Sequence, residues 1–152
     1  MPRAESRNWY DKYAFQIFIG GIARAAFTTC SELVGRADKI EHREGGDLVA
    51  NNSPGLVNFE DLTLERGETA DADEYAWWTT IFNVTSGCGA ANEANYKRDI
   101  VIMQRNRACQ TVRRWIVYAC WPIEYSPGDW DNSASEKKIE RIVLANEGFE
   151  MG

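Results

Sequence analysis

Between Val34 and Glu44 the chain reads "VGRADKIEHRE", a strand-like stretch carrying Arg36, Asp38, Lys39, Glu41, Arg43 and Glu44. Successive strand residues point to opposite faces of a sheet, and here both faces are largely polar. A strand of this kind gives a core nothing to cover. Whatever fold the chain adopts must leave it to water or to another subunit. Gly45-Gly46 ends it, and Asp47–Gly55, "DLVANNSPG", follows with no element signal of its own. Long structureless loops are uncommon in compact domains and are usually functional or mobile.

The rest of the 152 residues suffices for one domain and one core. In "YAFQIFI", Tyr13, Phe15, Ile17 and Ile19 share one face, which predicts a strand. Gly20-Gly21 is a two-residue hairpin signal, and a second strand is expected from Ile22 to Thr29. A fourth strand follows the polar one, from Val57 to Arg66. The period then changes. Asp71 is a candidate N-cap with Glu74 three residues on, and Tyr75, Trp78, Ile81 and Phe82 form an apolar stripe at helical spacing. These four are the expected core anchors of one helix, with Gly87 at its C-terminal stop. After the small-residue linker "SGCGAANEAN", strands are expected at Lys97–Gln104, Val112–Trp121, Ile123–Tyr125 and Lys138–Asn146. "DIVIM" and "WIVYAC" are apolar on both faces and so central. The fold expected is mainly β, a small barrel or sandwich with one packed helix.

The chemistry is mostly exclusion. A single histidine, His42, rules out a His-based triad and any metal site with two His ligands. No glycine pattern matches a phosphate-cradling loop. The abundant carboxylates leave a glycosidase-like pair open on residue type alone. However, Glu60, Glu65 and Glu68 read as a solvated edge, and nothing positive points to an enzyme or a cofactor. Apolar runs are too short to span a bilayer, and the N-terminus, "MPRAESRNWYDKY", has no signal-peptide pattern, so the expectation is cytoplasmic synthesis and reduced thiols at Cys30, Cys88, Cys109 and Cys120. Cys120 is expected in the core, and Cys88 nearer the surface.

A net charge of −6 argues against holding nucleic acid by attraction. That charge is uneven. Residues 60–74 are acidic apart from Arg66, whereas residues 97–114 are basic apart from Asp99. Two readings stand: a pair of solvated faces, or complementary ends that stack head to tail.

"KIEHREGG", then "PGLVNFEDLTLERGETAD", the helix with "WW", "ACWP" and finally "ERIVLANEGFE" occur in an order that resembles the inner tail-tube proteins of contractile-tailed phages and related contractile injection systems. The similarity runs from about Tyr13 to Phe149. The chain departs from the pattern at His42, where an aromatic is usual, at Ser53 of "SPGL" and at Asn146 of "NEG". The resemblance implies a single tail-tube domain over residues 1–152, with an N-terminal arm at 1–12, whose copies form hexameric rings stacked into a hollow tube. It maps the segment 45–56 onto a long inter-subunit loop. The contact residues so implied are Glu44, Gly45, Gly46, Asp47, Leu48 and Val49, continuing through Asn51, Asn52, Pro54, Gly55 and Leu56. Implied partners are sister copies, a tail sheath protein, and baseplate and tail terminator proteins. DNA passes transiently without specific binding, and this subunit does not insert into a membrane. The implied location is the virion tail tube, made in the host bacterial cytoplasm. Two alternatives remain: the tube of a non-phage injection particle delivering protein cargo, and a monomeric ligand-binding β-barrel with Trp121 and Trp130 lining its cavity.

Overall fold

The computed structural model describes residues 9–20, 27–82, 87–89 and 92–152. The described strands are β1 (Phe15–Ile19), β2 (Thr29–Cys30), β3 (Gly35–His42), β4 (Asn51–Phe59) and β5 (Leu62–Gly67), then β6 (Arg98–Arg105), β7 (Thr111–Ser126), β8 (Ile139–Ala145) and β9 (Gly148–Met151). Between β5 and β6 lie two short helices, α1 (Asp73–Thr79) and α2 (Glu93–Tyr96).

Strand β7 organises the body. Its first half pairs with β6 and, on its other edge, with β9; its second half pairs with β8. The hydrogen-bonded order is β1-β6-β7-β8-β5-β2, all antiparallel, and it ends at β1 and β2 without closing into a barrel. Sequence pattern explains the central positions. "DIVIM" and "WIVYAC" fall in the central strands β6 and β7, where Ile100, Val117 and Cys120 are buried and the residues of the other face, exposed Asp99 apart, are partly covered. In β5, Leu62 and Leu64 alternate inward, and β8 answers with Ile142 and Leu144. With Ile17, Ile19, Ile100, Val117, Cys120 and Trp77 they make one core.

Two irregularities let a single strand serve two sheets. Ala119 sits at φ 50°, and its N–H donates to Asp99 Oδ1 at 2.9 Å. The register slips there, from Ile100↔Val117 to Arg98↔Cys120, so Val117 and Cys120, three apart, both face the core. A second slip follows at Pro122, which is fully buried. A bulge is where a central strand accommodates a residue with no N–H to give.

Several expectations change. The strand expected from Ile22 to Thr29, and the Gly20-Gly21 turn before it, fall largely on residues outside the described ones; Thr29–Cys30 pairs with β5, and β1 pairs with β6. Val112–Trp121 and Ile123–Tyr125 are one continuous strand, and Val57–Arg66 is two, broken at Glu60-Asp61. The linker holds a second helix, one turn long, whose Asn92 side chain accepts from the Ala94 N–H.

The helical stripe is also re-phased. α1 spans seven residues, with Ala72 rather than Asp71 at its N-cap position, and it ends at Thr79, well before Gly87. Its buried residues are Glu74 and Trp77. Of the expected anchors, Tyr75 and Phe82 are about half exposed, and Trp78 and Ile81 are only partly buried. Trp77 is the actual anchor: its ring lies under the Arg98 guanidinium at 5.2 Å, and its Nε1–H donates to the Tyr96 carbonyl at 2.6 Å, tying α1 to α2.

Candidate assembly interface

β3 and β4 form a separate two-stranded antiparallel sheet. All eight residues of β3 are exposed, as a strand polar on both faces requires. The expected long loop is shorter than its sequence implies: Asn51–Leu56 is strand, paired from His42↔Asn51 to Lys39↔Pro54, and only residues 43–50 form the tip. Asn, Ser, Pro and Gly disfavour strands, and a hairpin with both faces in solvent leaves no burial pattern to reveal it. A bulge between Ala37 and Lys39 sits beside Gly55, where an added Cβ would meet Asp38 at 3.2 Å.

The inter-subunit residues inferred from the resemblance thus fall on one hairpin, divided between tip and stem. Glu44, Gly45, Gly46, Asp47, Leu48 and Val49 make the tip, closed by the Asp47 N–H donating to the Glu44 carbonyl at 3.1 Å, with Gly46 at φ 97°. Asn51, Asn52, Pro54, Gly55 and Leu56 lie on β4. Leu48 is 96% and Val49 77% exposed at the far end of an arm roughly 25 Å long by strand rise. Burying two such side chains is worth about 1.5–3 kcal/mol each.

The charge asymmetry is partly neutralised within the chain. Among the acidic residues, Glu60 pairs with Arg36 at 2.8 Å and Glu68 with Lys138 at 2.9 Å. At the Thr111 end of β7, the β6–β7 turn and the strand ends beside it carry Arg105, Arg107, Arg113 and Arg114, answered by Asp11 at 3.8 Å from Arg107. Arg113 lies over the Tyr10 ring at 5.4 Å, and Tyr10, exposed Trp9, Arg105 and Arg107 line an open basic and aromatic depression of about 740 Å³. Near the Ser126 end of β7, Asp129, Asp131 and Glu136 are exposed.

The seat of α1 was not visible in the sequence. Arg66, next inward after Leu62 and Leu64, is buried. Its Nε meets Glu140 Oε1 at 2.5 Å and Glu74 Oε1 at 3.1 Å; Nη2 donates to the Asp71 carbonyl at 3.2 Å, and Asp71 Oδ2 is 3.8 Å from Nη1. Tyr125 donates to Glu140 Oε2 at 3.0 Å. Burial above all, with Glu140 adding to it against the pull of Arg66, pushes the Glu74 carboxyl up to about 8. The signal available was Arg66 itself, a cation on the inward phase of a strand, which demands buried acids.

Among the described residues no group of His, Cys, Asp and Glu converges on a metal site, and no helix is long and apolar enough to cross a membrane. Burial pushes the Cys30 thiol up to about 11 and Cys120 to about 12, which makes both poor nucleophiles. Trp121 packs edge-on against Tyr96, and Trp130 is exposed with Lys138 Nζ 3.8 Å over its ring, so the two do not line a common cavity.

The family model for T4-like virus tail tube protein gp19 matches residues 11–150. The chain belongs to this tail tube family. Its fold is shared with several solved structures at low identity. A chain from the sheath–tube complex of the PVC extracellular contractile injection system in its extended state superposes with a TM-score of 0.80 at 21% identity, covering 97% of this chain and 93% of that one. A chain from the anti-feeding prophage cap gives 0.80 at 20% identity, covering 99% and 95%. Hcp1 from Flavobacterium johnsoniae gives 0.58 at 12% identity, covering 92% and 95%. A comparison with curated proteins finds no sequence match.

Proposed function

We propose that this tail tube protein is a structural, non-catalytic subunit whose copies close into hexameric rings and stack into the hollow inner tube of a contractile tail, through which phage DNA passes into the host. The observation that carries the reading is the β3–β4 arm of a tail-tube-family chain, exposed on both faces and tipped by Leu48 and Val49. Open sheet edges are a liability in a free monomer, and a ring of subunits removes them. The residues proposed for inter-subunit contact are those of the tip and of β4 through Leu56.

On this reading the outer surface meets a sheath protein, and the ends meet baseplate and terminator proteins; PVC and anti-feeding prophage structures of similar fold come from sheath–tube, cap, terminator and baseplate assemblies. The particle is a virion, assembled from subunits made in the host cytoplasm. A net charge of −6 suits a wall that lets DNA slide rather than bind. The same likeness to PVC and anti-feeding prophage tubes supports a second reading, a non-phage injection particle carrying protein. Electron microscopy of the purified chain with its initiating baseplate proteins tests assembly: the expected result is rings and tubes, and a chain that stays monomeric under these conditions refutes it. Nucleic acid or protein in the lumen of native particles separates the two readings.

A further inference from the structure

Glu74 stands out from the other charged residues of the chain. It is 1% exposed, and neither carboxyl oxygen has a hydrogen-bond partner of good geometry, although Oε1 lies 3.1 Å from Arg66 Nε. That Nε–H is already taken by Glu140 at 2.5 Å, and Asp71 supplies a second anion to the same guanidinium. An ionised Glu74 would be a third carboxylate against one buried cation, with no donor of its own. Burying a charge on those terms is costly, and the group neutralises instead.

We propose that Glu74 is a proton-binding site that locks α1 onto the sheet: with its proton on, the buried carboxyl sits beside the Arg66–Glu140 pair without adding a third negative charge, and release of that proton to water expels Glu74 and loosens α1. Every element packed around the site bears on this balance. β5 contributes Arg66, β8 Glu140 and β7 the Tyr125 hydroxyl; the turn before α1 adds Asp71 and the first residue of α1 adds Asp73, with Glu68 just upstream. From β6, Arg98 faces Asp73 and covers Trp77. One cation beside Glu74 thus faces several acids, so the retained proton offsets an excess of negative charge. The coupling reaches the core because Trp77 follows on the same short helix. The site is independent of assembly and does not rest on the tube reading.

The sign follows from the direction of the shift. The folded chain holds the Glu74 proton up to about pH 8, whereas an unfolded chain gives it up near the ordinary glutamate value. The stabilisation is therefore complete below about pH 4.5 and is lost as pH rises through about 8. Urea unfolding of wild type and Glu74→Gln across this range tests it. Relative to the variant, the wild-type unfolding constant should rise by up to about tenfold per pH unit, the limit for one proton. Parallel pH profiles overturn the proposal. If Glu74→Gln does not fold, carboxyl 13C NMR of the wild type decides. A Glu74 resonance titrating near 8, with α1 amide exchange accelerating alongside, supports it; titration near 4 overturns it.

Discussion

Ala119 carries the first bulge of β7 in one left-handed residue, with φ at 50°. Only glycine adopts that conformation without a Cβ penalty. Ala119→Gly should therefore raise stability by about 0.5–1 kcal/mol in urea unfolding, whereas Asp99→Ala should lower it by about 1 kcal/mol, since the Ala119 N–H loses its acceptor. Neither role was legible in "WIVYACWP", because an apolar strand shows which faces are covered but not where its backbone turns. The seat of α1 was hidden for a related reason. A seven-residue helix is two turns long, and a two-turn window around Trp77-Trp78 accepts either tryptophan as the anchor. Trp77→Ala should cost about 3–5 kcal/mol by the same measurement, and Trp78→Ala distinctly less.

At the level of elements, sequence pattern located the core well: β1, β5, β6, β7 and β8 lie where alternation or doubly apolar runs put strands. Its failures share a cause. β4 has no buried face to imprint a period on its sequence, so Asn51–Leu56 read as loop while pairing across to β3. The short α2 owes its boundary to one Asn92 side chain rather than to a stripe. The hairpin also yields the sharpest test of the proposed contacts. Replacing residues 43–50 with Asn-Gly closes β3 onto β4 through a two-residue turn and removes Leu48 and Val49. The variant should keep the wild-type circular dichroism spectrum and urea midpoint within about 0.5 kcal/mol, and should form no tubes in electron micrographs. Normal tubes would remove the tip from the interface.

For the whole molecule, the sequence announced an uneven charge, and the structure sorts it. Much of the acidic segment is consumed internally: Glu74 is buried beside Arg66, and Glu60 and Glu68 are paired with bases. What remains for stacking is the arginine-rich β6–β7 turn at one end of β7 and the acids of residues 127–138 beyond the other. If these ends meet between rings, light scattering should show tube growth slowing steeply between about 0.05 and 0.5 M salt, as the screening length shrinks below about 10 Å. Arg107→Glu should reproduce the loss at low salt, and indifference to both changes would leave stacking to apolar contacts.

Because β7 belongs to both halves of the body, its two ends are joined by a single unbroken run of peptide bonds from Thr111 to Ser126. A push delivered at the arginine-rich turn reaches the far rim through covalent backbone, braced sideways by β6, β8 and β9. Neither half can slide past the other without tearing a ladder on that strand. A cylinder built from such units would fail by parting at its joints well before any one brick deformed.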